Sequence, residues 1–248
     1  MPISQQSLQG GQWQVLEGRD APLRCWWAQA DDTVLIRDRA ILVLPEVFGV
    51  NAWVRSVADR LAAEGVSALA IPLFARTAPE LDLLYDADSL AEGRLHKERA
   101  TVDGILADVA VAIAWLQCQG LSRISVVGFC FGGHAALLAA TLPQVESSVD
   151  FYGAGVCHSR PGGGAPSLEL LAQVRGRLTC ICGTADPLIP ESDQRKISAS
   201  LLAHDPTGAR LRYVAMEGAD HGFMCEARSS FHPASAERGW QILFDLWA

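Results

Sequence analysis

Four residues combine reactive chemistry with a place just after an apolar, strand-like run. They are Glu46 after "ILVLP", Cys130 after "SVVGF", Asp186 after "CICGTA" and His221 after "RYVAMEGAD". In an open parallel sheet, ligands gather at the carboxyl ends of the strands, so side chains that follow strands are the first candidates for a site. Cys130, Asp186 and His221 offer a nucleophile, an acid and an imidazole, in that chain order. An imidazole oriented by a carboxylate can take a proton from a thiol and return it to a leaving group, which is acyl-transfer chemistry.

The surroundings of Cys130, "GFCFGG", suit that role. A sharp strand-to-helix turn needs small residues two before and two after its apex, and Gly128 and Gly132 stand there. The backbone N–H of Phe131 would then point at a developing oxyanion, and the helix start would favour thiolate. A buried cysteine in a glycine turn has the same local sequence. Asp186, in "GTADPLIP", has a second role open to it as a turn former before proline. Glu46 would be costly to bury without a task or a partner, and a salt bridge at the rim of the sheet is the plainer alternative. His134 falls inside the helix after the turn, where packing or capping is expected. No motif surrounds His96, His158, His204 or His232.

These residues need a scaffold, and the hydrophobic pattern supplies one. Apolar strands are expected at 24–29, 40–45, 67–72, 124–129, 148–153, 178–183 and 210–215. Helical spacing covers Val54, Val57, Ala58 and Leu61, stopping at Gly65. It recurs at Ile105, Val109, Ala112, Ile113 and Leu116, then over 132–142 and 191–204, and in a closing helix with Trp240, Leu243, Phe244 and Trp247. Residues 75–99 look polar and irregular, with room for one short helix. Alternating strand and helix predicts an α/β fold: a mostly parallel twisted sheet with helices on both faces. The segment 159–167, "SRPGGGAPS", fits a surface loop, because the alternation resumes after it. A single domain over 1–248 is expected.

Composition narrows the function classes. Half of the 248 residues are hydrophobic, enough for a substantial core, and the net charge is −8. No cluster of Lys and Arg accompanies it, so neither nucleic acid nor an anionic membrane surface is an expected partner. The polar start, "MPISQQSLQGGQWQ", does not resemble a signal peptide, and no apolar run approaches a membrane span. A cytoplasmic, soluble protein is expected. Seven cysteines in such a chain argue against structural disulfides. Cys180 and Cys182 lack a second ligand pair for zinc, so buried thiols are expected and no metal.

Taken together, the sequence resembles the dienelactone hydrolase family of the α/β-hydrolase fold over roughly residues 24–247. Four blocks carry the resemblance: "PEVFGVNAWVRSVADRLAAEGVSALAIPLFAR" (45–76), "GFCFGG" (128–133), "GTADPLIP" (183–190) and "GADHGF" (218–223). It implies hydrolysis of a small-molecule ester or lactone, such as dienelactone, without a cofactor and in a monomer. It implies Cys130 as nucleophile, His221 as base and Asp186 as its orienter, with Glu46 contacting the cysteine and helping to activate it when substrate binds. The oxyanion hole would be the N–H groups of Phe131 and Val47. The family holds the substrate carboxylate with arginines, one of them four residues after the histidine. Here that position is Cys225, which leaves Arg228, Arg94, Arg99 and Arg76 as candidates. Other readings are a general carboxylesterase, a binding protein that has lost turnover, and a thiol-transfer role for Cys130. No C-x-x-C partner supports the last.

Overall fold

The computed structural model describes residues 10–31 and 38–245. Its eight strands are β1 (Gln12–Leu16), β2 (Leu23–Ala28), β3 (Arg39–Leu44), β4 (Ser67–Ala70), β5 (Arg123–Phe129), β6 (Val145–Phe151), β7 (Arg177–Gly183) and β8 (Leu211–Met216). They form one sheet in the order β1-β2-β4-β3-β5-β6-β7-β8. β1 and β2 run antiparallel to their neighbours, and every pairing from β4 to β8 is parallel. The helices are α1 (Ala52–Ala63), α2 (Ala87–Arg99), α3 (Val102–Cys118), α4 (Phe131–Ala139), α5 (Glu191–His204) and α6 (Pro233–Phe244).

The central strands are apolar on both faces because both faces are covered. Along β3, Ile41 and Val43 join one core with Val54 and Val57 of α1 and Trp240 and Leu243 of α6. Ala40, Leu42 and Leu44 join the other, with Ile105, Val109 and Leu116 of α3. Alternate residues of one strand thus anchor two layers of helix, as a period of two requires. The expected strands and helices are present, with ends displaced by a few residues. Trp247 lies outside the described residues.

Two elements depart from expectation. β1 is an unforeseen edge strand, whose sequence QWQVL mixes polar and apolar residues on a half-exposed ribbon. Its Trp13 is held by Trp26, at 5.3 Å between centroids, and by the Arg24 guanidinium, 3.5 Å above the ring. α2 is a regular thirteen-residue helix where irregular chain with a short helix was expected. Its start is capped by Asp86, which accepts from the Ser89 N–H at 2.8 Å. Gly93 is its one buried residue, so it carries no apolar stripe for periodicity to reveal.

Asp150 of β6 is a buried acid in this framework. Its Oδ1 accepts from the Gly153 N–H at 2.8 Å, and burial pushes its carboxyl up to about 7. Between the ordinary Asp range and pH 7 the folded chain holds a proton that unfolding releases. Stability therefore falls as pH rises through that window, by about 4 kcal/mol at most, and levels off above it. Asp150→Asn keeps the acceptor for Gly153 and removes the ionisation. Its melting temperature should decline less than wild type between pH 5 and pH 8, and parallel declines would refute the assignment.

Candidate active site

β5 ends and α4 begins at Cys130, which adopts φ 55° and ψ −118°. A non-glycine residue in that region costs about 1–3 kcal/mol, and such strain persists only where the surroundings impose it. Here they do. The Cys130 N–H donates to the Phe151 carbonyl at 3.0 Å, and its own carbonyl accepts from the His134 N–H at 3.1 Å. A Cβ on Gly128 would strike the carbonyl oxygen of Gly132, and one on Gly132 would strike the carbonyl oxygen of Leu44. The glycines therefore let the turn close on itself and let α4 press against the end of β3. That contact brings the chain at Phe131 beside the loop that carries Glu46 and Val47. The first N–H groups of a helix have no intrahelical acceptor, which leaves Phe131 free to donate to a ligand.

Asp186 follows β7, and each of its carboxylate oxygens has a partner. Oδ1 accepts from the Leu188 N–H at 2.8 Å and fixes the turn, while Oδ2 lies 2.8 Å from His221 Nδ1. Asp186 and His221 are 2% and 6% exposed, so the pair is almost dry. His221 Nε2 is buried and makes no hydrogen bond. Burial alone lowers the imidazole pKa. The charge of Cys130, then the hydrogen bond with Asp186, outweigh it and raise the group to about 10. The raised value favours the imidazolium form of His221.

Glu46 is fully buried, and its Oε1 accepts from Arg228 Nη1 at 2.8 Å. Its other oxygen makes no hydrogen bond. Burial pushes the carboxyl above its usual range, against the pull of Arg228. Glu46 thus has Arg228 as its partner, whereas the contact with the cysteine that the resemblance implies belongs to the substrate-bound enzyme. That pairing engages Arg228, the first candidate for a substrate carboxylate.

The remaining arginines divide. Arg76 is engaged in ion pairs within the fold. Its Nη1 and Nη2 grip Asp108 of α3 at 2.7 and 3.0 Å, and Nη2 also meets Asp20 at 2.9 Å. Asp108 is 1% exposed, so its charge needs that guanidinium. Arg76→Ala should lower stability by about 1–3 kcal/mol, less than a fully buried pair because Arg76 is part-exposed, and should leave KM unchanged. A raised KM at unchanged stability would place it in the site. Arg94 and Arg99 are exposed on α2.

His134 packs as expected. Its Nδ1 meets the Ala154 carbonyl at 3.1 Å and its Nε2 the Ser167 hydroxyl at 2.7 Å, and burial lowers its pKa to about 4. Cys180 and Cys182 are buried thiols. Among the described residues no cluster of His, Cys, Asp and Glu is arranged to hold a metal, and no single helix is long and apolar enough to cross a membrane. Sequence reasoning missed Tyr152. It follows β6 with φ 44°, is fully buried, and packs edge-on to His221 at 5.1 Å between ring centroids. Its place directly after a strand, before Gly153, was the available signal.

The comparisons agree with this framework. The family model for the "Dienelactone hydrolase family" matches residues 26–248. A Synechocystis protein named "Putative carboxymethylenebutenolidase" is 34% identical over 210 residues, covering 84% of each chain. A Bradyrhizobium protein named "Probable 2-oxo-3-(5-oxofuran-2-ylidene)propanoate lactonase" is 29% identical over 214 residues, covering 84% of this chain and 83% of its own. A crystal structure from Klebsiella pneumoniae, titled "Putative Dienelactone Hydrolase", superposes with a TM-score of 0.82 at 24% identity, covering 95% of this chain and 96% of that one; it speaks for the fold. With a strand order, a strained cysteine turn and a family match that extend over nearly the same residues, the chain belongs to the dienelactone hydrolase family, a family of ester and lactone hydrolases.

Proposed function

We propose that the protein hydrolyses a small-molecule ester or lactone through Cys130, His221 and Asp186, by way of a thioester. The observation that carries this is the pairing of His221 Nδ1 with Asp186, which leaves a buried, unpartnered Nε2 and an imidazole whose pKa the Cys130 charge raises. In the first half-reaction the Cys130 sulfur bonds to the substrate carbonyl carbon. Negative charge gathers on the carbonyl oxygen, where the N–H groups of Phe131 and Val47 would receive it. The carbon–oxygen ester bond then breaks, and the leaving oxygen takes the proton from His221. In the second, His221 removes a proton from water, the hydroxide attacks the thioester, and Cys130 is released. Asp186 holds His221 in the orientation both steps need. A thiolate is itself a good leaving group, so an activated ester or enol lactone suits this chemistry better than an amide.

Dienelactone is the substrate that the family suggests. A general carboxylesterase is the second reading, favoured by Cys225 at the family's arginine position and by the commitment of Arg228 to Glu46. Steady-state hydrolysis of dienelactone beside a neutral aryl ester separates the two. Preference for dienelactone requires an arginine to reach its carboxylate, Arg228 by exchange from Glu46 or Arg94 from α2. Turnover of the aryl ester alone discards dienelactone and keeps the hydrolase.

A further inference from the structure

α2 carries a glycine in its interior, which costs about 1 kcal/mol relative to alanine. Helix propensity gives no reason for it; a steric contact does. A Cβ on Gly93 would strike the carbonyl oxygen of Val47, with the Val47 carbonyl carbon at 2.9 Å and its Cβ at 3.2 Å. The helix backbone therefore rests directly on the loop that would supply one oxyanion donor.

The chain before α2 grips the same loop. The Phe48 carbonyl accepts from the Leu83 N–H at 3.0 Å, the Asn51 side chain donates to the Leu83 carbonyl at 3.2 Å, and Gly49 bridges to Asp82. Phe48 packs edge-on against Tyr85, 4.6 Å between centroids. Beyond Gly93, His96 Nδ1 lies 3.1 Å from the Thr77 hydroxyl. α2 is thus anchored on both sides of Gly93 and cannot retreat without pulling on its anchors. Val47 and Phe48 are 3% and 4% exposed, so the loop beneath the helix is buried.

We infer that Gly93 is a positioning residue for the oxyanion hole: its bare backbone lets α2 seat against Val47 and hold the direction of the Val47 N–H. The inference rests on the acyl-transfer reading above. A methyl at position 93 forces the loop or the helix aside. Misplacing a catalytic group by about 1 Å costs on the order of a hundredfold, and losing an oxyanion donor outright about a hundred- to a thousandfold.

The test compares wild type, Gly93→Ala, Gly93→Ser and, as an exposed control on the same helix, Glu92→Ala. Hydrolysis of an aryl ester reads the oxyanion hole. Alkylation of Cys130 by iodoacetamide passes through no oxyanion and reads the thiolate alone. Gly93→Ala should lose roughly ten- to a hundredfold in kcat, with KM within about twofold, an unchanged alkylation rate and a modestly lower melting temperature, because the clash with Val47 outweighs the gain in helix propensity. Gly93→Ser should lose at least as much, and Glu92→Ala should match wild type. Unchanged hydrolysis in both glycine variants would overturn the inference. So would hydrolysis and alkylation falling together, since that marks a general disturbance. Failure of the underlying reading looks different: hydrolysis would survive Cys130→Ala.

Discussion

Cys130→Ala should abolish ester hydrolysis, with a fall of about ten-thousandfold or more in kcat and little change in melting temperature. The large first effect follows from covalent catalysis, because no other group at the turn can form the acyl intermediate. The small second effect follows from the backbone. Cys130 holds its positive φ because the Phe151 carbonyl and α4 impose it, and alanine bears the same conformational cost as cysteine. Cys130 is half-buried, so truncation opens no closed cavity. Cys130→Ser should also fold and lose most activity, since a hydroxyl is far harder to ionise than a thiol. Turnover near the wild-type rate in either variant would place the nucleophile elsewhere.

Asp186→Asn should lower kcat by about a thousand- to ten-thousandfold with KM nearly unchanged. The turn decides how the asparagine sits. The Leu188 N–H requires an acceptor, so the amide oxygen takes the place of Oδ1 and the NH2 group faces His221. His221 Nδ1 must then accept, and its proton moves to Nε2, where it can no longer receive one from Cys130. The raised pKa of His221 falls as well, because one of the charges holding it near 10 is gone. In wild type the proton needed by the leaving group is present at neutral pH and is lost as pH rises through about 10, so kcat/KM should decline there. In Asp186→Asn that alkaline decline should move to lower pH. A full-rate variant with an unmoved pH profile would remove Asp186 from the machinery and leave it only the turn.

Legibility varied from element to element. β3, β5 and β7 were plain in the sequence because strands buried on both faces must be apolar throughout. β1 and α2 were not, since β1 is half-exposed and α2 buries only Gly93, and neither needs a pattern. The partner of Arg76 was hidden for a related reason. Arg76 stands at the end of a family-like block, yet its partner Asp108 is far away in sequence, on α3, and only packing brings the two charges together.

The chemistry followed the same division. The places of Cys130, Asp186 and His221 after strands were legible because each sits in a short loop with demanding backbone requirements, and those requirements are met by neighbours in sequence: glycines around the cysteine, proline after the aspartate, glycines flanking the histidine. What each side chain meets across the sheet was not legible. Glu46 meets Arg228, from a loop remote in sequence. Tyr152 against His221, and Gly93 against Val47, are likewise contacts between elements. The sequence by itself determined the alternation of strand and helix, and with it the strand ends where a nucleophile, an acid and a base would stand, because hydrophobic period and turn chemistry act over a few residues. Only the tertiary structure decided which charges neutralise one another and which backbones touch, because in a close-packed interior those choices depend on residues that the chain brings together from far apart.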